Sequence, residues 1–222
     1  MSFELLITLF YGYIFYYISS LIGISIGYHR YFTHRSFSTN VFLEHLMLFF
    51  GLLCGGRSVL TWAAVHRMHH ANSDTEHDPH SPIYVGLWKV ITSQWTVDYI
   101  PRKYIKDLMK NQRVVFYHKY GRYIHIAYAG IMLILGIKFF IIFVLSPFIL
   151  AWIGFGLLNW VTHRKGEPND IPFMNIIAPG EGWHETHHRH PGRYSLNKYD
   201  IAGWTIEKIF IRKTDISSSR HS

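Results

Sequence analysis

The 222-residue chain has a single cysteine, Cys54, and few charged side chains. One cysteine cannot form an internal disulfide, and the sequence contains no CxxC motif for metal binding or redox chemistry. Charged residues make up 16% of the chain and hydrophobic residues 49%, whereas about a quarter of a typical soluble domain is charged. This scarcity of charge favours an integral membrane protein over a soluble one.

Long uncharged runs predict three membrane-spanning helices, because about 20 apolar helical residues cross a bilayer. We expect the spans at about residues 3–28, 120–137 and 139–162, the last two forming a hairpin. The first run lacks a basic start and a small-residue cleavage site, which indicates an uncleaved span. The run at about 41–53 is too short to span and predicts an interfacial or re-entrant helix.

Positive charge outweighs negative charge, with 22 Lys and Arg against 14 Asp and Glu and a formal net charge of +8. Much of the excess lies between Arg102 and Arg122. A basic segment beside apolar ones indicates the cytoplasmic side of a membrane. The basic residues are not interleaved with base-stacking aromatic side chains on a soluble module, so we do not expect a nucleic-acid partner.

Nine of the 16 histidines have the spacing of metal ligands. In HRMHH and HETHH the first histidine precedes the others by three and four residues, which places all three near one helix face. His29 and His34 are five residues apart, or about 140° around a straight α-helix, so they can converge only where the helix ends or bends. The nine are His29, His34, His66, His69, His70, His163, His184, His187 and His188.

Nine histidines are enough for two metal ions, because neutral imidazole is a common protein ligand for iron and zinc. A shared site requires an even number of membrane crossings between successive groups, which again makes residues 41–53 non-spanning. We therefore expect an all-α integral membrane protein with a cytoplasmic helical cap that holds a di-metal histidine site. The cap would comprise about residues 29–119 and 163–216, within one domain over residues 1–222.

The sequences around these histidines resemble the membrane fatty acyl desaturases of the stearoyl-CoA desaturase type. The motifs are GYHRYFTHRSF, TWAAVHRMHHANSDTEHDPH, NWVTH and GEGWHETHH, and the similarity extends over about residues 21–191. The resemblance implies an O2-dependent enzyme that inserts a cis double bond, at the ninth carbon, into a saturated acyl chain. It also implies two iron ions (Fe2+) held by the nine histidines, with Asn159 reaching one metal through a water. Zinc can replace iron in overproduced protein.

The resemblance also implies partners. No haem, flavin or iron–sulfur motif is present, so the electrons are expected from a separate donor such as cytochrome b5 or a ferredoxin with its reductase. The substrate is expected to be a long-chain acyl thioester on coenzyme A or acyl-carrier protein, or an acyl chain in a membrane lipid. The family's acyl-CoA enzymes have an Arg-Asp pair where this chain has Ala64 and Val65, which weakens the case for coenzyme A. Animal members also have a further span before the first histidine group, so we expect one span fewer here.

Four residues are candidates for the acyl tunnel. Tyr17 and Leu21 align with the end of the family's tunnel, and Leu21 replaces a smaller residue in stearoyl-preferring enzymes. We therefore expect a preference for acyl chains of about sixteen carbons, because pocket length discriminates between chains that differ by methylenes. Trp62 and Trp183 stand beside histidine groups and are candidates for the tunnel wall. For Tyr17 and Leu21, simple packing against neighbouring helices or lipid is the alternative.

Asp78 and His80, shortly after the second histidine group, are expected to support the ligand imidazoles from behind. Two alternative functions stay open at this point. A di-iron hydroxylase or related monooxygenase acts on acyl or alkyl chains with the same ligands, although GEGWHETHH and the pair of Asn159 and His163 favour the desaturase. A histidine-rich metal transporter or metal-binding membrane protein is expected to have histidines and carboxylates inside its spans, which are nearly free of both here.

Overall fold

The structure is a computed structural model that describes residues 2–94 and 96–211. Within these residues the chain is all-helical and contains no strand. The helices are α1 (Phe3–Thr33), α2 (Val41–Leu53), α3 (Val59–Asn72), α4 (Leu87–Ile91), α5 (Gln112–Leu135), α6 (Ile137–His163), α7 (His184–Arg189) and α8 (Ile201–Thr205, continued by π-helical turns over Ile206–Phe210). Short 3-10 turns lie at Arg102–Tyr104, Leu108–Lys110 and Pro172–Ile176. Residues 212–216 of the expected cap lie outside the described residues.

Within the described residues, α1 and α6 are the two helices that are long and apolar enough to cross a membrane, with mean hydropathies of 1.7 and 2.4. They run parallel. Near their N-terminal ends, Lys138 pairs with Glu4 at an Nζ to Oε2 distance of 3.1 Å. Farther along, Gly12 packs so closely against Ser146 that a Cβ atom would collide with it. Both C-terminal ends therefore lie at the same end of the bundle.

Helix α5 begins earlier than the second span expected at about residue 120. The Asn111 side chain caps it by accepting hydrogen bonds from the N–H groups of Arg113 and Val114, which satisfies donors at the start of a helix. Because its first half is polar, α5 is not apolar enough along its length to be counted with α1 and α6 as a candidate membrane span. Gly136, with φ of 128°, makes the turn into α6, a conformation that glycine adopts without strain.

Helix α2 coincides with the short helix expected at residues 41–53 and packs antiparallel to the second half of α1. Gly23 packs against the backbone of Gly51, and a Cβ atom on Gly27 would lie 2.7 Å from the Cβ of Met47. Glycines on one helix face allow two backbones to approach closely. The chain thus runs along α1, returns through α2 and turns again into α3, which lies parallel to the end of α1 and places the HRMHH segment beside it.

Candidate metal centre

The second half of α1 is π-helical over Leu21–Thr33, and this brings the first two histidines together. In a π-helix each N–H bonds to the carbonyl five residues earlier, so residues five apart become neighbours. The N–H of His34 donates to the carbonyl of His29 at 3.1 Å, and their ring centroids are 5.1 Å apart. The two side chains converge because the helix widens and because it ends at Thr33, so the helix end that the sequence led us to expect is present.

Five of the nine histidines form one group, which we call cluster A. Its members are His29, His34, His66, His70 and His187, each with a ring nitrogen within 4.8 Å of the others. The Nε2 atom of His187 lies 2.8 Å from that of His29 and 2.9 Å from that of His70. An imidazole nitrogen has either one proton or one lone pair. His187 therefore cannot form a hydrogen bond to both neighbours.

The other four histidines form cluster B under the same 4.8 Å criterion. They are His69, His163, His184 and His188. The Nε2 atoms of His163 and His184 are 2.8 Å apart, and those of His69 and His188 are 3.3 Å apart. The clusters are adjacent, since the ring of His188 stacks on that of His70 with centroids 4.2 Å apart. The structure thus brings together all nine histidines expected to bind metal.

The spacing of the nitrogens suits a metal ion in each cluster. Two imidazole nitrogens that each lie about 2.1 Å from one ion, at right angles, are about 3.0 Å apart. The closest Nε2–Nε2 distances in the two clusters are 2.8–3.3 Å. Within the described part of the chain, the buried Nε2 atom of His34 has no hydrogen-bond partner. A ligand to a metal ion is the role that fits such an atom.

Three carboxylates contact the clusters from behind, each at the Nδ1 atom of an imidazole. The pairs are Asp78 with His69, Asp74 with His163 and Glu181 with His29, all at 2.8 Å. A carboxylate at Nδ1 keeps the ring proton there and leaves the Nε2 lone pair free for a metal. Asp78 lies where the sequence predicted it. Asp74 and Glu181 were not predicted from the sequence, although both lie inside the histidine motifs.

Burial lowers the pKa of the imidazoles that lie outside the apolar helices. For His66, His69, His184 and His187, the pKa falls well below its ordinary value, mainly because burial disfavours the charged ring. Burial and the nearby His29 lower the pKa of His70 to about 3. These rings are therefore neutral at pH 7 and keep the lone pair that a metal ligand needs.

Two aromatic rings pack against ligand-type imidazoles. The ring of His80 stacks on His69 with centroids 4.3 Å apart, and its backbone N–H donates to Asp78. Trp62 stacks on His66 with centroids 4.9 Å apart and meets the edge of His29 at 5.9 Å. Trp62 thus borders cluster A, and His80 supports cluster B from the side.

Within the described residues, the side chains of the remaining candidates make no hydrogen bond or ring contact with the imidazoles of the clusters. Asn159 is half-buried on α6, one turn before His163, and its amide forms no hydrogen bond within the described residues. Trp183 precedes α7, and its buried indole N–H has no partner there either. Tyr17 is half-buried beside Tyr13, and Leu21 is buried in the core of the bundle. The roles assigned to these residues stay predictions.

A buried arginine fastens the GEGWHETHH segment to α1. Arg30 is 1% exposed, and its guanidinium donates to Asp200 and to the carbonyl of Gly180, both at 2.6 Å. Asp200 in turn accepts hydrogen bonds from the N–H groups of Leu196 and Ala202. Because Gly180 immediately precedes Glu181, this network also positions the carboxylate behind His29.

Comparison with known proteins gives a consistent family match. Residues 5–202 match the model of the family described as fatty acid desaturase. A protein named sn-1 stearoyl-lipid 9-desaturase from Anabaena variabilis is 29% identical over 215 residues, covering 88% of this chain and 78% of its own. A protein of the same name from Synechocystis sp. is 32% identical over 212 residues, covering 88% and 64%. One named Acyl-CoA C20 Delta5-desaturase from Anemone leveillei is 29% identical, covering 87% and 68%.

Proposed function

Because the chain belongs to the fatty acid desaturase family, we propose that it inserts a cis double bond at the ninth carbon of a saturated fatty acyl chain. Family membership confirms the identification made from the histidine motifs, and it makes the protein an oxidoreductase that acts on acyl chains. The observation that carries the proposal is the division of nine histidines into two adjacent imidazole clusters. The ninth carbon is favoured by the relatives named 9-desaturases.

The residues present fit one metal ion in each cluster, and we assign iron to both. The five histidines of cluster A would hold one ion, and the four of cluster B, with Asn159 through a water, would hold the other. Iron supplies the chemistry that reduces O2 to water and removes two adjacent hydrogens from a methylene chain, which no side chain can do. Two electrons per turnover come from an external donor such as cytochrome b5 or a ferredoxin.

The chain's own residues orient the ligands and the substrate. Asp78, Asp74 and Glu181 hold the imidazole protons on Nδ1, which directs the Nε2 lone pairs into the clusters. Trp62 forms part of the wall along which the acyl chain approaches cluster A. Positioning of this kind is the main contribution that a protein can make to the reaction of an unactivated methylene.

The acyl carrier that we favour is a membrane lipid. Two relatives are named for stearoyl-lipid substrates. Ala64 and Val65, which replace the charged pair of the acyl-CoA enzymes, are buried and cannot contact a polar carrier at the surface. An acyl thioester of coenzyme A or acyl-carrier protein is the alternative, and one relative is named for acyl-CoA.

The two apolar helices and the family indicate a membrane protein, and we propose three spans with the clusters on the cytoplasmic side. Support for the third span comes from α5, which runs the length of the bundle. At one end Arg113 pairs with Glu44, and at the other Gly136 leads into α6 beside the Lys138–Glu4 pair. The basic residues around the start of α5 favour the cytoplasmic side for this end.

The test is the fatty-acid profile of a desaturase-deficient host that supplies an electron donor. The host expresses the wild-type chain, His187→Ala or His77→Ala, a control at a histidine whose side chain is 77% exposed. We expect new cis-monoenes with the wild type and the control, located by mass spectrometry, and none with His187→Ala. Hydroxy acids as products would identify a hydroxylase. Unchanged products and two bound metal ions in His187→Ala would contradict the proposal.

A further inference from the structure

A second polar site lies away from the histidine clusters, in a cavity of about 330 Å³ between the end of α2, the middle of α5 and α6 near Phe148. Its polar lining includes Arg57, His118, Arg122 and His125. The three α5 residues recur at intervals of four and three, which places them on one helix face. None of them belongs to the metal centre.

The cavity is cationic, since no Asp or Glu lines it. Within the described residues, the Arg57 guanidinium makes no hydrogen bond or ion pair, and Arg122 contacts only Tyr123. The Ser58 hydroxyl accepts a hydrogen bond from the N–H of Leu60 and lies 2.8 Å from Nδ1 of His118. The site therefore offers donors for an anion.

Arg57 and Arg122 have no anionic partner among the described residues, although they lie beside a proposed membrane span. Arg122 lies near the middle of α5, the helix that we propose as the third span. A cation within the membrane is energetically costly unless it has an anionic partner. The cavity also has an apolar lining that is open to the surroundings, with Phe148 46% exposed and Ile126 61% exposed. A ligand that suits both walls carries an anionic group and a hydrocarbon chain. In a membrane, this description fits a lipid phosphate with its acyl chain.

We propose that this cavity binds the phosphate head group of a membrane lipid, with Arg57 and Arg122 around the phosphate and an acyl chain against Ile126 and Phe148. The backbone supports this use of Arg57. Its φ is 52°, a conformation uncommon for residues other than glycine, and its carbonyl accepts a hydrogen bond from the Tyr28 hydroxyl at 3.1 Å. The backbone of Arg57 is thus held by the core, while the residue itself is exposed and lines the cavity.

The test measures lipid retention directly and does not depend on desaturase activity. The full chain, purified in uncharged detergent, is titrated with phosphatidylglycerol and with a galactolipid of the same acyl chains, and bound lipids are counted by native mass spectrometry. We expect one tightly bound phosphatidylglycerol, with at least tenfold weaker binding in Arg57→Gln/Arg122→Gln. The matched control, Lys119→Gln/Lys165→Gln, removes two positive charges outside the cavity lining and should bind as the wild type does.

Several results would overturn the proposal. Equal weakening in the two double variants would indicate general charge attraction, and equal binding of the galactolipid would indicate an apolar groove only. Displacement of the lipid by millimolar inorganic phosphate would identify a site for soluble phosphate. Ile126→Trp provides an independent check, because it fills the apolar wall at constant charge and should also weaken lipid binding. Metal content and helical circular dichroism of each variant verify that the fold and the metal centre are intact.

Discussion

Clusters A and B are built from the same side chain but are held in place differently. Near cluster A, two arginines connect the end of α1 to other segments through backbone carbonyls. Arg30, in α1, donates to the carbonyl of Gly180, and Arg67, in α3, donates to the carbonyls of Phe32 and Thr33 at 2.9–3.0 Å. One carboxylate, that of Glu181, reaches a ring of this cluster. The geometry of cluster A therefore depends on how firmly α1 is fastened to α3 and to the segment around Gly180.

Cluster B is held through its rings. Asp78 and Asp74, both from the loop after α3, each accept a hydrogen bond from the Nδ1–H of an imidazole in the cluster, and His80 stacks on one of these rings. A carboxylate on the ring acts on the ligand itself, because it sets the tautomer and raises the basicity of the imidazole. The difference predicts that substitutions around cluster A alter stability first, and those around cluster B alter metal affinity first.

The largest effect is expected when a ligand is removed from either cluster. His66→Ala in cluster A and His184→Ala in cluster B should each lower the metal content from two ions to one per chain and abolish product formation. The reason is that, in the proposed arrangement, each cluster would hold its own ion. Metal analysis of the purified variants, with fatty-acid profiles of the expressing cells, checks this. Loss of both ions from either single variant would show that the clusters form one cooperative site.

The next largest effect is expected at Arg30. Arg30→Gln leaves the carboxylate of Asp200 buried and unpaired, which should lower the free energy of unfolding by about 3–5 kcal/mol. Thermal unfolding followed by helical circular dichroism measures this. The control is Arg35→Gln, at the same helix end but 63% exposed, where a surface pair contributes about 1 kcal/mol or less. Equal unfolding temperatures for the two variants would contradict a fastening role for Arg30.

A smaller and more selective effect is expected at Asp78. Asp78→Asn removes the charge behind His69 and should weaken metal binding in cluster B by about 10–100-fold, while the metal-free protein unfolds at nearly the wild-type temperature. Competition with a chelator measures the affinity of each ion. Glu76→Gln is the matched control, because this carboxylate lies nearby and is 76% exposed. If Asp78→Asn destabilised the fold as much as Arg30→Gln does, the expectation that substitutions near cluster B affect metal affinity more than stability would be wrong.

Much of the site could be predicted from the sequence because its chemistry is local. Intervals of three and four residues place side chains on one helix face, so the members of HRMHH and HETHH were expected to meet. The convergence of His29 and His34 was predicted, but the π-helical hydrogen bonding that contributes to it was not. A shift to this hydrogen bonding depends on the tertiary packing of α1 against α2, which no local pattern shows. The same holds for Arg30 and Asp200, which are 170 residues apart, and no local pattern links them.

The fold was predictable to a similar degree. The bounds of α2 follow from a short apolar run that begins after Asn40, whose side chain caps the helix at 3.0 Å. Helix α5 begins at Gln112, before the span expected from about residue 120, because the apolar run begins after its basic first half. The Asn111 cap was available in the sequence as a signal for the earlier start. Hydropathy marks the apolar part of a helix, whereas capping marks where the helix begins.

The smallest effect is expected at Asp107, which pairs with Arg67 at 2.8 Å. This pair helps to hold Arg67 where it donates to the carbonyls of Phe32 and Thr33 in α1. Burial raises the pKa of this carboxyl, but hydrogen bonds and charge from Arg67 outweigh it and hold the pKa below its ordinary 3.8. A carboxyl with a lowered pKa stabilises the fold above its ordinary pKa, and this contribution is lost as the pH falls through the folded-state pKa.

Asp107→Asn should therefore lower the free energy of unfolding by about 1 kcal/mol at pH 7. The difference from the wild type should begin to shrink as the pH falls below about 3.8 and should disappear only below the lowered folded-state pKa, where Asp107 of the folded wild type is protonated. Unfolding of the metal-free protein across this pH range measures the difference without interference from ligand protonation. A gap that stays constant on acidification would mean that Asp107 supports Arg67 through shape alone, and the fastening of α1 would then depend on backbone carbonyls rather than on charge.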